Sequence, residues 1–172
     1  MNEIRQLLAK KIETVTESGF DELALEVFRY QAQYNPLYAE YLRLLRIDPQ
    51  SVTDILDIPF LPIQFFKNYI IKTGDWDPEM IFTSSGTTGQ VTSQHLVRDL
   101  EFYKNNTYKG FEHFFGGVNQ YCILALLPSY LERSGSSLVI MADHFIRQSD
   151  YKQSGFFLYN TGDLVKILEN YK

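Results

Sequence analysis

The stretch Tyr121–Ile146, YCILALLPSYLERSGSSLVIMADHFI, decides the fold. Its first seven residues, Tyr121 to Leu127, form a near-continuous apolar run, the pattern of a strand covered on both faces, as parallel sheets require. Pro128 ends that strand and a polar loop follows. Ser136 or Ser137 then caps a helix that turns Leu138, Val139, Ala142, Phe145 and Ile146 inward. The next β-like run, Gly155 to Tyr159, completes one β-α-β unit. Downstream, Thr161 caps a last helix whose Leu164, Val165, Ile167 and Leu168 have no following strand, so the pattern stops mid-unit and the chain reads as the N-terminal part of a longer protein.

Upstream of the unit, Asp99 caps a helix to Phe115 with Phe102, Tyr103, Phe111 and Phe114 on its buried side and Gly116 and Gly117 as its stop. Short strands are expected at Tyr69–Lys72, Met80–Thr83 and Gln94–Val97. The prolines of IPFLPIQFFK allow a single short turn after Pro62. Before them the texture is helical. Glu3–Ser18 carries an apolar stripe closed by Gly19; a second helix starts at Asp21, whose carboxylate is placed to cap it; Asn35–Pro36 opens a third, broken at Asp48–Pro49. The expected class is α/β: a helical region over 1–57, then an α/β region over 58–172 with a mostly parallel sheet flanked by helices.

Composition bounds the function. The chain has 172 residues, 45% of them hydrophobic, enough for a sizeable core. Sixteen Lys and Arg against 21 Asp and Glu leave a net charge of −5 without a basic run, which disfavours a nucleic-acid scaffold. The longest apolar stretch is too short to span a bilayer, and a charged N-terminus is unlike a signal peptide, so no membrane role and a cytoplasmic location are expected. The single cysteine, Cys122, forms no internal disulfide. Set inside an apolar strand, its thiol would be a poor nucleophile, and it reads as structural.

Phe82–Gln90, FTSSGTTGQ, carries the chemistry. Four hydroxyl residues, Thr83, Ser84, Thr87 and Thr88, join Ser85 around two glycines that permit positive φ, so successive amides can converge on one anion, with phosphate the natural guest. A polar hairpin turn suits the same residues. The string lacks the GK[ST] of a nucleoside triphosphatase P-loop and the dinucleotide GxGxxG.

SSGTTGQ resembles the phosphate loop of the adenylate-forming enzymes, the acyl-CoA synthetase superfamily, whose signature is TSGTTGxPK. DIPFLPIQFFK before it and LLPSYLERSGSSLV after it resemble the LuxE-type acyl-protein synthetases of bioluminescence, over roughly residues 30 to 160. The resemblance implies the first half of the large synthetase domain. It also implies ATP and Mg2+ as cofactors, a fatty or aromatic carboxylic acid as substrate, an acyl-adenylate intermediate, and a thiol acceptor, either a protein cysteine or CoA. It assigns Ser84, Ser85, Gly86, Thr87, Thr88, Gly89 and Gln90 to the triphosphate, with Thr87 or Thr88 toward magnesium. Thr92 stands where the superfamily has lysine, and Val91 where it has proline; Lys67, Lys72 and Arg98 are the candidate replacements.

Further candidates flank the loop. His95 shares a face with Ser93 on the following strand, as a phosphate contact or a hydrogen-bonded sheet residue. At the carboxyl end of the apolar strand, where open α/β sheets bind ligands, the resemblance matches Tyr130, with Ser129 beside it, to the acyl-pocket lining. Arg133 could meet a carboxylate or form a solvated pair with Glu132. Met141 and His144 could face the same loop. An acyltransferase receiving a preformed thioester, and a non-catalytic α/β interaction domain, remain as alternatives.

Overall fold

Asn35 is where two helices meet. Its backbone N–H donates to Gln31 O at 2.9 Å, closing helix α2 (Phe20–Tyr34), and its Oδ1 accepts from Tyr38 N at 3.2 Å, opening helix α3 (Pro36–Leu45). With proline at the first helical position, where no N–H is needed, the junction follows from two adjacent residues. The structure is a computed structural model, and it describes residues 2–84, 92–128 and 135–170. The chain divides into two units, one of residues 1–77 and 93–96, the other of 78–92 and 97–172.

The first unit is helical. Helix α1 (Asn2–Thr14), a 3-10 turn (Glu17–Gly19), α2 and α3 precede a proline-bearing connector that contains a 3-10 turn (Ile55–Asp57) and the short α4 (Phe65–Asn68). Its core is Phe28, Ala32, Tyr38, Leu42 and Val52, backed by Tyr41, Ile58 and Leu61. Each such large side chain contributes about 1.5–3 kcal/mol on burial. Tyr38 also ties α3 to the connector, its hydroxyl donating to Pro59 O at 2.9 Å.

Four expectations change in this unit. The first helix stops at Thr14, where β-branched Val15 and Thr16 follow. The second starts at Phe20 with Gly19 in the N-cap position, so Asp21 lies in the first turn, where its charge favours the helix dipole without capping it. The third ends at Leu45, closed by Arg46 in the left-handed region (φ 58°), with Ile47 N donating to Leu42 O at 3.1 Å. Tyr69–Lys72 is a loop. Lys72 Nζ binds Asp75 Oδ1 at 2.9 Å and Trp76 O at 3.1 Å, and Gly74 N donates to Tyr34 O at 2.8 Å, so the segment is held by side chains and by the end of α2.

The second unit is α/β. Strand β1 (Met80–Thr83) lies in it and forms a two-stranded sheet with strand β2 (Gln94–Val97), of which residues 94–96 belong to the first unit. Helix α5 (Leu100–Phe115) is capped by Asp99, which accepts from Phe102 N at 2.9 Å, and ends at Gly116. Strand β3 (Leu124–Ala125), helix α6 (Ser137–Gln148) and strand β4 (Gly155–Phe156) make the β-α-β unit. Its strands are parallel, with Leu124 opposite Gly155 and Ala125 opposite Phe156. Helix α7 (Thr161–Asn170) follows, starting at the residue expected to cap it.

The class is therefore α/β, with seven α-helices and two small sheets among the described residues. The extended, mostly parallel sheet is not seen there. The expected strand Tyr121–Leu127 shrinks to two residues because its first half is bonded elsewhere: Ser149 Oγ donates to Tyr121 O at 2.6 Å, and Ile123 N donates to Ser154 Oγ at 2.9 Å. Nor is the run covered on both faces, since Leu126 is 59% exposed. Gly155–Tyr159 likewise keeps two strand residues, and Phe114 of α5 is exposed, leaving Phe111 to pack on Phe145 and Tyr121. Among the described residues no helix is long and apolar enough to cross a membrane.

Candidate functional site

β1 ends where FTSSGTTGQ begins. Phe82, 6% exposed, anchors the strand against Val97 and Ile140, with Met80, Leu100 and Tyr103 around them. Tyr103 reaches from α5 across this core: its ring lies 5.0 Å from that of Phe82, and its hydroxyl donates to Ser137 O in the first turn of α6 at 3.0 Å. Burial pushes its phenol pKa up, against the effect of that hydrogen bond.

The next residue, Thr83, donates its N–H to Gly135 O at 2.9 Å. A Cβ on Gly135 would stand 3.4 Å from Thr83 Oγ1 and 3.7 Å from Ile81 O, ordinary van der Waals contact, so the two segments lie side by side here without requiring a glycine. Ser136 then caps α6, its Oγ accepting from Val139 N at 3.4 Å. The described ends of the two sequence-singled loops, after Thr83 and before Gly135, thus meet at the carboxyl end of β1 and the amino end of α6. Helix amino ends favour anionic groups.

The individual candidates divide as follows. Ser84 is exposed just beyond β1. Ser85, Gly86, Thr87, Thr88, Gly89 and Gln90 lie outside the described residues, as do Ser129, Tyr130 and Arg133. His95 is exposed in β2, stacked on Phe66 with ring centroids 5.9 Å apart; withdrawal of water by its surroundings lowers its pKa. Of the candidate replacement cations, Lys72 is engaged by Asp75 and Trp76, Lys67 is exposed on α4, and Arg98 is half-buried just past β2. His144 packs edge-on against Tyr108 of α5, centroids 6.1 Å apart, and its pKa is lowered by burial and by Lys104. It therefore sits on the α5–α6 contact. Cys122 is half-buried and lies ahead of β3 rather than inside it. Among the described residues no group of three His, Cys, Asp or Glu is placed to hold a metal ion.

A feature that sequence reasoning missed is a cavity of about 660 Å3 in the helical unit. Ile12 of α1, side chains of α2 between Phe20 and Gln31, and the connector from Ile55 to Ile71 supply its wall. The signal was present in IPFLPIQFF, a connector far more apolar than its turn chemistry needs, whose Phe60 and Ile63 are 78% and 73% exposed.

No family model matches the chain, and no solved structure matches it. The chain is similar to the long-chain-fatty-acid–luciferin-component ligase of Photorhabdus luminescens, at 33% identity over 69 residues. That match covers 40% of this chain and 59% of the relative's length, a partial relation to a ligase that by its name acts on long-chain fatty acids.

Proposed function

We propose that the chain is part of an enzyme that activates a carboxylic acid with ATP, as an acyl-adenylate, and passes the acyl group to a thiol. The observation that carries this reading is the partial match to a fatty-acid ligase, taken with the SSGTTGQ string; the meeting of the two loop ends at Thr83 and Gly135 supports it. In the proposed reaction a carboxylate oxygen attacks the α-phosphorus of ATP and pyrophosphate leaves; a thiolate sulfur then attacks the acyl carbonyl and AMP leaves. Charge accumulates on phosphoryl oxygens in the first step, so positioned amides and hydroxyls lower its barrier. Ser84, Ser85, Gly86, Thr87, Thr88, Gly89 and Gln90 are proposed to hold the triphosphate, Thr87 or Thr88 to face Mg2+, and Ser129, Tyr130 and Arg133 to approach the acid.

Melting curves with ATP and Mg2+, with AMP, and with acyl-CoA test the reading. Stabilisation by ATP and AMP is expected. Stabilisation by acyl-CoA alone would instead favour an ATP-independent acyltransferase, which Thr92 in the lysine position makes the specific second reading. No shift with any of the three would leave an interaction domain.

A further inference from the structure

Tyr103 stands in an apolar cluster where a phenylalanine would pack as well. Its neighbours are Phe82, Val97 and Ile140, with Met80 and Leu100 beside them. The hydroxyl adds the 3.0 Å bond to Ser137 O. That carbonyl lies in the first turn of α6, where the helix itself supplies an N–H from four residues on. The bond is therefore not needed to satisfy the backbone, and carrying a hydroxyl into this half-buried position costs desolvation that a plain ring would avoid. What the bond supplies is placement: it ties the first turn of α6 to one point on α5.

That point is itself fixed from β1. Leu100 N donates to Glu79 Oε2, just ahead of the strand, at 2.8 Å, and the Tyr103 ring rests edge-on against Phe82, the penultimate strand residue. Helix α5 is thus held at both ends of β1 and carries the position of the strand across to α6. The bond from Thr83 N to Gly135 O is a second tie between the same two elements. Residues 84–90, proposed to hold the triphosphate, begin one position after Thr83, and residues 129–133, proposed to approach the acid, end two positions before Gly135. Any shift of the first turn of α6 against the end of β1 changes the spacing of the anchors from which both stretches leave.

We propose that Tyr103 is a positioning residue of the acid-activating site: its hydroxyl holds the amino end of α6 in register with the end of β1, so that groups from both stretches converge on the reacting phosphate. The proposal rests on the acid-activating reading above and adds to it a residue outside the two stretches. A misplacement of about 1 Å at reacting atoms can cost roughly 100-fold in rate. Because the converging groups are needed most where charge develops, the loss falls on kcat more than on KM.

Tyr103→Phe, in the protein as its gene encodes it, keeps the ring and removes the hydroxyl. Pyrophosphate exchange should fall at least roughly tenfold in kcat, with KM for ATP changed less than about threefold and the melting temperature lowered by about 1–6 °C. Tyr121→Phe is the comparison, since its hydroxyl donates to Phe115 O at the other end of α5; it should lower the melting temperature by a similar amount and leave exchange within about twofold. Tyr103→4-aminophenylalanine, which restores an N–H donor on the same ring, should recover most of the lost rate. Tyr103→4-fluorophenylalanine, which fills the hydroxyl's volume without donating, should show the same loss even if Tyr103→Phe fails to fold by far-UV circular dichroism. An unchanged kcat in the folded non-donating variants would overturn the proposal and leave the bond a stabilising one. So would equal losses of exchange in Tyr103→Phe and Tyr121→Phe, a change confined to KM, or no recovery with the amino variant. The two levels separate in the unsubstituted protein: exchange there that the Tyr103 variants leave intact removes only this assignment, whereas no exchange with any acid removes the parent reading and the assignment with it.

Discussion

Replacing Tyr38 with phenylalanine probes the joint that holds the cavity wall to the helices. The hydroxyl donates to Pro59 O at 2.9 Å from a residue 7% exposed, and its loss leaves that carbonyl without this donor. A net cost of about 1–2 kcal/mol at pH 8 follows, or a fall in melting temperature of about 2–8 °C for a chain of this size. The pH dependence is the sharper test. Burial first, and then Tyr41, push the phenol from 10.0 up to about 12. A folded-state value above the unfolded one means that the folded chain holds this proton more tightly. The associated stability is complete below pH 10 and is lost as pH rises toward 12, to at most about 3 kcal/mol. The phenylalanine variant has no proton to lose at this position, so the advantage of the natural chain should shrink by roughly 1 kcal/mol by pH 11 and vanish near there, the other tyrosines cancelling in the comparison. Urea unfolding followed by Trp76 fluorescence, the single tryptophan and a member of the same unit, measures the difference at pH 8, 10 and 11. A gap that stays constant across that range would refute the buried, proton-donating role of Tyr38.

Three further outcomes are expected. Asn35→Ala should cost about 1–2 kcal/mol in urea unfolding, because it strips the cap from α3 at a site 3% exposed, while Asn35→Asp should retain most of the stability; equal losses in both would contradict the capping role. Arg46→Gly should stabilise the chain by roughly 0.5–1 kcal/mol in the same assay, since Arg46 sits at φ 58° and glycine occupies that region without strain; a loss would show that the arginine side chain matters more than its backbone. Joint Thr87→Val and Thr88→Val substitution should remove the rise in melting temperature caused by ATP while leaving the melting temperature without ATP within about 2 °C, and retention of the full rise would exclude the loop as the triphosphate site.

Local chemistry was legible in the sequence and distant chemistry was not. Asn35–Pro36, Asp99 and Ser136 announce helix starts because the cap is satisfied within three residues of itself. β1 and β2 match the runs Met80–Thr83 and Gln94–Val97 residue for residue. Tyr121–Leu127 shows the opposite. Its composition suits a long strand, yet Ser149 and Ser154, roughly thirty residues on, bond the backbone of Tyr121 and Ile123, and a ladder of two residues remains. Asp21 failed as a cap because the 3-10 turn Glu17–Gly19 carries the chain into α2 one residue earlier. The contact between Thr83 and Gly135 joins two loops that the sequence marks separately but cannot bring together, and the cavity depends on α2 and the connector meeting in space.

Carboxylate-dependent exchange of labelled pyrophosphate into ATP, measured on the protein as its gene encodes it with straight-chain and aromatic acids, tests the central claim most directly. Exchange that requires Mg2+ and an acid and is lost on joint Thr87→Val and Thr88→Val substitution is the expected result. An absence of exchange with every acid, under conditions where the protein is folded, would contradict it.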